Sequence, residues 1–166
     1  MRFVTFESEG LPKLGVRLGD EVVDLSKADP SLPNTLLALL EADCGIFEEA
    51  KVAAENARDR LPVSTIKFCP VIPRPPKIIC IGLNYEAHAA EGGHDRPDYP
   101  SFFMRGATSL TGHKQPIVRP KVSETLDYEA ELVAVIGKRS SRHMSREETL
   151  DLVALALKFF MIMAIS

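Results

Sequence analysis

The sequence predicts an α+β fold that is rich in β-structure and carries a small α/β module at its N-terminus. Short apolar runs separated by Gly and Asp turns open the chain, two Ala- and Leu-rich segments follow, and more strand-like runs occupy residues 77–144. With 45% hydrophobic and 26% charged residues among 166, the composition is that of a globular protein that can bury a core.

The first 62 residues are predicted to form the N-terminal module. RFVTFES, LGVRLGD and EVVDLS are predicted strands, and TLLALLEA and IFEEAKVAAENARD are predicted helices, the first with Asn34 as its N-cap. Five of the twelve prolines lie between residues 62 and 76. Because proline fixes φ and removes a backbone donor, residues 63–76 are predicted to be a linker without a helix or central strand.

Residues 77–166 are predicted to form a second domain. KIICIG is expected to be a buried strand that ends at Gly82, and SFFMR, QPIVRP and DYEAELVAVIG are further strand candidates. SREETLDLVALAL is predicted to be a helix, because Ser145 and Glu148 have the spacing of a capping box and Leu150 to Leu157 present one apolar face. KFFMIMAIS is a last possible strand.

Charge and cysteine usage exclude several classes of protein. A net charge of −3 offers no basic face for nucleic acid. Three cysteines (44, 69 and 80) without a C-x-x-C pair do not indicate a disulfide framework, so a reducing cytoplasm is expected. The N-terminus has no signal-peptide core, and the apolar C-terminal run is too short for a membrane span and is interrupted by Lys158.

Two glutamates in LDYEAELVAVIGK carry the strongest chemical signal. Glu129 and Glu131 are two residues apart, so they share one face of a strand, and the apolar run after them predicts that the strand is buried. Two such carboxylates need a shared proton, a basic partner or a metal ion, and Mg²⁺, Mn²⁺ or Ca²⁺ suits them better than Zn²⁺. The alternative is a solvated edge strand whose glutamates pair with Lys or Arg.

A second candidate site is LNYEAHAAEGG. If it forms a helical turn, His88 and Glu91 lie on one face, and a carboxylate beside an imidazole makes a base that can deprotonate water. The following GGHDRPDYP is predicted to be a loop, so the base would lie on a closing lid. The alternative is a surface histidine beside a surface glutamate.

The remaining candidate is Arg105, at the end of the SFFMR strand. It can bind a substrate carboxylate through two hydrogen bonds, or it can be part of a structural ion pair. The other histidines, at positions 94, 113 and 143, show no ligand spacing and are expected in loops or at the surface, although His113 is a candidate to lie near the cleft.

At these residues the sequence resembles the fumarylacetoacetate hydrolase family. The segments that carry the resemblance are KIICIGLNYEAHAAE, PSFFMRGATSLTGHKQPIVRP and LDYEAELVAVIGKRS, in that order, and they span roughly residues 73–152. The resemblance implies a β-roll catalytic domain, here incomplete, usually in a homodimer. It also implies a divalent metal, generally Mg²⁺, on Glu129 and Glu131, a His88–Glu91 dyad on a lid, and substrate contacts near Arg105, Asn84 and Tyr85.

The chemistry implied is the hydrolysis of a carbon–carbon bond in a β-diketo acid such as an acylpyruvate or fumarylacetoacetate. The resemblance also implies two alternative reactions of the same family. These are the isomerisation of 2-hydroxyhepta-2,4-diene-1,7-dioate and the decarboxylation of oxaloacetate. The physics agrees, because a metal can chelate a 2-keto carboxylate while the dyad activates water.

The resemblance also implies a third metal ligand, an Asp after the predicted helix, which this sequence lacks. No Asp, Asn or Gly follows Asp151. A truncation or frameshift, a part of a longer protein, and an altered tail after about Ala154 are the three explanations. A catalytically inactive fragment or interaction module is therefore the alternative of another class, and the sequence does not choose the substrate within the family.

Overall fold

A computed structural model describes residues 1–43, 45–93, 95, 97–137 and 142–163, and within these ranges it leaves out the side chains of residues 88, 127, 129 and 154–163. Cys44 and His94 of the sequence predictions therefore lie outside the described residues, as do the last residues of LDYEAELVAVIGKRS and of KFFMIMAIS. No described helix combines the length and apolar character that crossing a membrane requires.

The N-terminal module begins with three antiparallel strands, as predicted. Strand β1 (Arg2–Ser8) pairs with β2 (Leu11–Leu18), which pairs with β3 (Glu21–Asp24). The β1–β2 turn consists of Glu9 and Gly10, both with positive φ (54° and 77°), which matches the right-handed twist of the hairpin strands.

Three helices pack against this sheet: α1 (Leu25–Ala28), α2 (Leu36–Glu41) and α3 (Ile46–Asn56). The two longer helices were predicted, but the N-cap of α2 is Thr35 and not Asn34. The Thr35 side chain accepts a hydrogen bond from the N–H of Ala38, which satisfies one of the free donors of the first turn. The core beneath the helices consists of Leu14, Val16, Val23, Leu25, Leu32, Leu36, Leu39, Leu40, Ala50 and Ala54.

The proline-rich stretch forms the two edges of the N-terminal sheet. Strand β4 (Leu61–Pro62) pairs with β3, a 3-10 turn spans Val63–Thr65, and β5 (Lys67–Phe68) pairs with β1, so the strand order is β4-β3-β2-β1-β5. As expected for prolines, the stretch contributes no central strand. The sheet thus takes in residues beyond position 62, while the division into module, linker and second domain stays a prediction.

The second half contains two separate two-stranded antiparallel sheets. Strand β6 (Ile78–Gly82) pairs with β7 (Ser101–Arg105), and helix α4 (Glu86–Glu91) lies in the connection between them. The predicted strand QPIVRP is wrong: residues 115–120 have no regular structure. Pro116 and Pro120 remove two donors from this six-residue segment, which explains why it joins no ladder.

The other sheet pairs β8 (Asp127–Ile136) with β9 (Val153–Met163), and α5 (Arg146–Leu150) lies between them. The capping box of Ser145 and Glu148 is confirmed. The predicted continuation of that helix to Leu157 is wrong, because β9 begins at Val153 and pairs along nearly the whole of β8.

The prediction that β6 and β8 are buried strands is also wrong. Ile79 and Ile81 of β6 are 59% and 44% exposed, and Leu132 of β8 is 68% exposed. In each strand every second residue is less exposed. The inward face of β8 is anchored by Val135, which packs against the N-terminal core.

Candidate functional site

Arg105 ends strand β7, and the β6–β7 register determines what lies beside it. Arg105 pairs with Ile78, and Cys80 pairs with Phe103, so Arg105 and Cys80 lie on the same face of the two-stranded sheet. Both are partly buried, whereas the opposite face, which carries Ile79 and Met104, is exposed. Arg105 therefore presents its charge on the less exposed face.

The charge of Glu131 on β8 acts on Cys80 of the same pair. Burial raises the pKa of the Cys80 thiol above its ordinary value, Arg105 opposes this shift, and Glu131 adds to it. The charges of Arg105 on β7 and Glu131 on β8 thus both act on Cys80 of β6, and these three residues are called the Cys80–Arg105–Glu131 cluster below.

Glu131 of the E-x-E pair lies on the less exposed face of β8. Glu131, Val133 and Val135 are partly buried, while Leu132 and Ile136 between and beyond them are exposed. Glu129 is two residues before Glu131 in the same regular strand, so it belongs to the same face by strand geometry. Its side chain lies outside the described residues.

Tyr85 brings helix α4 to this strand. Its hydroxyl oxygen accepts a hydrogen bond of 3.4 Å from the backbone N–H of Leu132, which follows Glu131 directly. Of α4 itself, Ala89 is buried at 3% exposure. This contact places the start of α4 beside the carboxylate-bearing strand.

The predicted dyad lies on α4, which spans Glu86–Glu91. His88 and Glu91 are therefore one helical turn apart, as the spacing required. Glu91 is exposed, and the side chain of His88 lies outside the described residues. Asn84 is exposed just before the helix, and among the described residues no hydrogen bond or ion pair joins Asn84 or Glu91 to the Cys80–Arg105–Glu131 cluster.

The partly buried carboxylate of Glu131 is the kind of oxygen ligand that Mg²⁺ and Mn²⁺ prefer. Within the described part of the chain, no group of three His, Cys, Asp or Glu side chains is arranged to hold a metal. Glu129, one of the two expected ligands, is outside that part.

The structure places His113 against the N-terminal sheet and draws attention to Cys80, which sequence reasoning missed. His113 packs edge-on against Phe68 of β5, with ring centroids 5.5 Å apart. His143 is exposed with φ of 61°. From the sequence, Cys80 was only a cysteine without a C-x-x-C partner. Once β6 is paired with β7, the alternation of side chains along the two strands places Cys80 and Arg105 on one face.

The chain is similar to known proteins over more than nine-tenths of its length. Residues 77–159 match the family model described as the C-terminal domain of fumarylacetoacetate (FAA) hydrolase. The mitochondrial oxaloacetate tautomerase of Xenopus laevis is 37% identical over 155 residues, which cover 91% of this chain and 48% of the relative. The human mitochondrial oxaloacetate tautomerase FAHD2A is 34% identical over 158 residues, which cover 93% of this chain and 50% of that protein.

Solved structures show the same fold. Maleylpyruvate hydrolase from Sphingobium sp. SYK-6, in complex with manganese(II) and pyruvate, matches with a TM-score of 0.72 and 27% identity, covering 98% of this chain and 58% of that one. Fumarylacetoacetate hydrolase from Exiguobacterium antarcticum matches with a TM-score of 0.72 at 21% identity, covering 98% and 56%. The chain spans about half the length of the curated relatives that it matches.

Proposed function

The chain belongs to the fumarylacetoacetate hydrolase family, and from that premise we propose that it contributes the site of a divalent-metal-dependent enzyme acting on a 2-oxo acid. The observation that carries the proposal is the hydrogen bond between Tyr85 and Leu132, which brings the helix of His88 and Glu91 to the strand of Glu129 and Glu131. Proton transfer beside a pair of metal-binding carboxylates is what enolisation of a 2-oxo acid requires.

Glu129 and Glu131 would hold the cation. When bound, a divalent cation polarises the 2-oxo carboxylate and offsets the negative charge that develops on its oxygens. We propose Mg²⁺ as that cation. The manganese in the maleylpyruvate hydrolase structure supports a divalent metal in general.

The reaction predicted from the sequence is hydrolysis of an acylpyruvate. Glu91 orients the imidazole of His88 and raises its basicity, and His88 accepts a proton from water as the water oxygen attacks the distal carbonyl carbon. The carbon–carbon bond then breaks and its electron pair passes to the pyruvate fragment as an enolate. The proton held by His88 is returned to the methylene carbon of that enolate, and the products are a carboxylic acid and pyruvate. Arg105 and Asn84 bind the polar end of the substrate, with Arg105 supplying two parallel hydrogen bonds to a carboxylate.

Tautomerisation of a 2-oxo acid such as oxaloacetate is the second candidate reaction. It is favoured by the 34% and 37% identity to oxaloacetate tautomerases over more than nine-tenths of this chain. His88 then moves a proton between carbon and oxygen without activating water, so the same residues serve both reactions.

Parallel assays of the purified protein distinguish these reactions. Loss of acylpyruvate absorbance with Mg²⁺ or Mn²⁺ reports hydrolysis, and the approach of oxaloacetate to keto–enol equilibrium reports tautomerisation. His88→Ala and Glu131→Gln are each expected to lower the rate by about 10²-fold or more. Glu41→Gln, an exposed change in the N-terminal module, is the matched control. Equal rates in parent, His88→Ala and Glu131→Gln would overturn the assigned roles, and no activity in the parent would favour an inactive fragment.

Two further properties stay proposals. A homodimer is supported by the exposed apolar cross-strand pairs Ile79–Met104 and Ile81–Phe102. Light scattering tests it, because a dimer has twice the mass of one chain, which is 18.3 kDa. The cysteine pattern supports a cytoplasmic location. The names of the relatives place those proteins in mitochondria. Fractionation of cells that produce the protein distinguishes the two locations.

A further inference from the structure

Tyr85 connects the start of α4 to β8 through both its backbone and its side chain. Its carbonyl oxygen accepts a hydrogen bond of 3.0 Å from the N–H of Ala89, which closes the first turn of α4. Its hydroxyl oxygen accepts the bond of 3.4 Å from Leu132, 47 residues away. One residue thus fixes both where the helix begins and which strand it lies against.

The segment that leads into Tyr85 is bent and strained. Leu83 has φ of 51°, in the left-handed region that a leucine rarely adopts. Such a conformation persists only where surrounding contacts hold it. After Leu83, the chain is anchored at Tyr85 by the bond from Leu132 and at Ala89 by burial.

We propose that Tyr85 is a positioning residue, a latch that keeps helix α4 against strand β8. The proposal rests on the proposed function for the roles of His88 and Glu91, which the latch would hold beside Glu131. It differs from the substrate contact that the sequence predicted for Tyr85. A substrate contact acts mainly on KM, whereas a latch acts on the geometry of the bound complex and therefore on kcat.

The length of the bond makes the latch weak. At 3.4 Å it is longer than the common range for N–H···O bonds. Its loss is therefore expected to change the opening equilibrium of α4 by about three- to tenfold. A latch of this strength also lets α4 move when substrate enters or product leaves.

Hydrogen exchange of single amides in the parent and in Tyr85→Phe tests the latch directly. Phe keeps the ring and removes the acceptor, so the amides of Leu132 and Ala89 are expected to exchange about three- to tenfold faster. Tyr99→Phe, which removes a hydroxyl from a ring that is 84% exposed, is the matched control and should leave both amides as in the parent. Unchanged exchange in Tyr85→Phe would overturn the proposal.

Steady-state kinetics separates the latch from a substrate contact. Tyr85→Phe is expected to lower kcat by about three- to tenfold with KM within twofold of the parent. A rise in KM alone, with kcat unchanged, would overturn the latch. An inactive parent would count against the proposed function, and the exchange of Leu132 and Ala89 would then decide the latch by itself.

Discussion

The hydroxyl of Thr5 donates a hydrogen bond of 2.6 Å to the carbonyl oxygen of Val71, 66 residues further along the chain. The carbonyl oxygen of Thr5 in turn accepts a bond of 2.8 Å from the N–H of Cys69. Thr5 is buried in β1, so these two bonds fasten the proline-rich segment to the N-terminal sheet. Residues 69 and 71 are therefore held against β1.

Replacing Thr5 by Val is expected to lower the free energy of unfolding by about 1–2 kcal/mol. Valine fills the same volume but leaves the carbonyl of Val71 without its donor. Urea unfolding followed by circular dichroism measures the change. Thr65→Val is the matched control, because the hydroxyl of Thr65 donates a similar bond of 2.8 Å to Pro62 at an exposed site. Equal effects of the two substitutions would contradict the importance of Thr5.

Gly112 is expected not to tolerate a side chain. It is buried against β5, and a Cβ there would lie 2.7 Å from the carbonyl carbon of Phe68 and closer still to its oxygen. Because backbone atoms cannot turn aside as a flexible side chain can, Gly112→Ala should cost about 2 kcal/mol or more of unfolding free energy. Thermal or urea unfolding checks this.

Gly45→Ala is the control for that substitution, since the nearest atom to its added Cβ would be 3.9 Å away. It should change the unfolding free energy by less than about 0.5 kcal/mol. A Gly112→Ala protein as stable as Gly45→Ala would show that the segment after β7 does not pack on β5.

The capping box of α5 gives a prediction about pH. The N–H of Ser145 donates a bond of 2.7 Å to the Glu148 carboxylate, and this bond, with a smaller contribution from the Ser145 side chain, lowers the pKa of Glu148. Because the pKa is lower in the folded state, the stabilisation of α5 is present above about pH 4.3, the ordinary glutamate value, and is lost as the pH falls through the lowered pKa.

Carbon-detected NMR titration of Glu148 tests this. The midpoint should lie below that of an unfolded glutamate, and Ser145→Ala should raise it only part of the way, because the backbone N–H remains. Ser145→Thr keeps the hydroxyl and should leave the midpoint unchanged. A midpoint that does not respond to Ser145→Ala would contradict the contribution of the Ser145 side chain.

Arg105→Leu is expected to raise KM for a 2-oxo acid by about 10- to 100-fold, because a charge-assisted hydrogen bond to the substrate carboxylate is lost. The KM of Arg105→Lys should lie between the values for Arg105→Leu and the parent, since Lys keeps the charge and loses the paired donors. Arg60→Leu breaks the exposed ion pair with Glu21 in the N-terminal module and should leave KM unchanged. Michaelis–Menten kinetics measures all three, and an unchanged KM in Arg105→Leu would remove Arg105 from the substrate site.

The parts of the fold that local signals specify were predictable from the sequence. Strands β1 to β3 follow from apolar runs divided by Gly turns, and the start of α5 follows from the spacing of Ser145 and Glu148. For the candidate site, strand periodicity predicted that Glu129 and Glu131 share a face, and helical periodicity predicted that His88 and Glu91 share a turn.

What failed depends on contacts far apart in the chain. The apolar run from Leu152 to Leu157 is compatible with both a helix and a strand, and pairing with β8 decides for β9. The exposure of Ile79 in β6 depends on what covers the sheet and not on the strand's own composition. The hydrogen bond between Leu132 and Tyr85, and the effect of the Arg105 and Glu131 charges on Cys80, depend on how residues far apart in the chain are placed in the fold.

The location of a bound divalent cation tests the proposed site most directly. Titration of the ¹⁵N-labelled protein with Mn²⁺, followed by paramagnetic broadening, should first erase the amide signals of Glu131, Leu132, Cys80 and Arg105, and Glu131→Gln should restore them. The acidic surface of α3, where Glu48 pairs with Lys51 at 3.0 Å, serves as the internal control. Broadening confined to α3, or equal broadening in parent and Glu131→Gln, would contradict a metal site on β8.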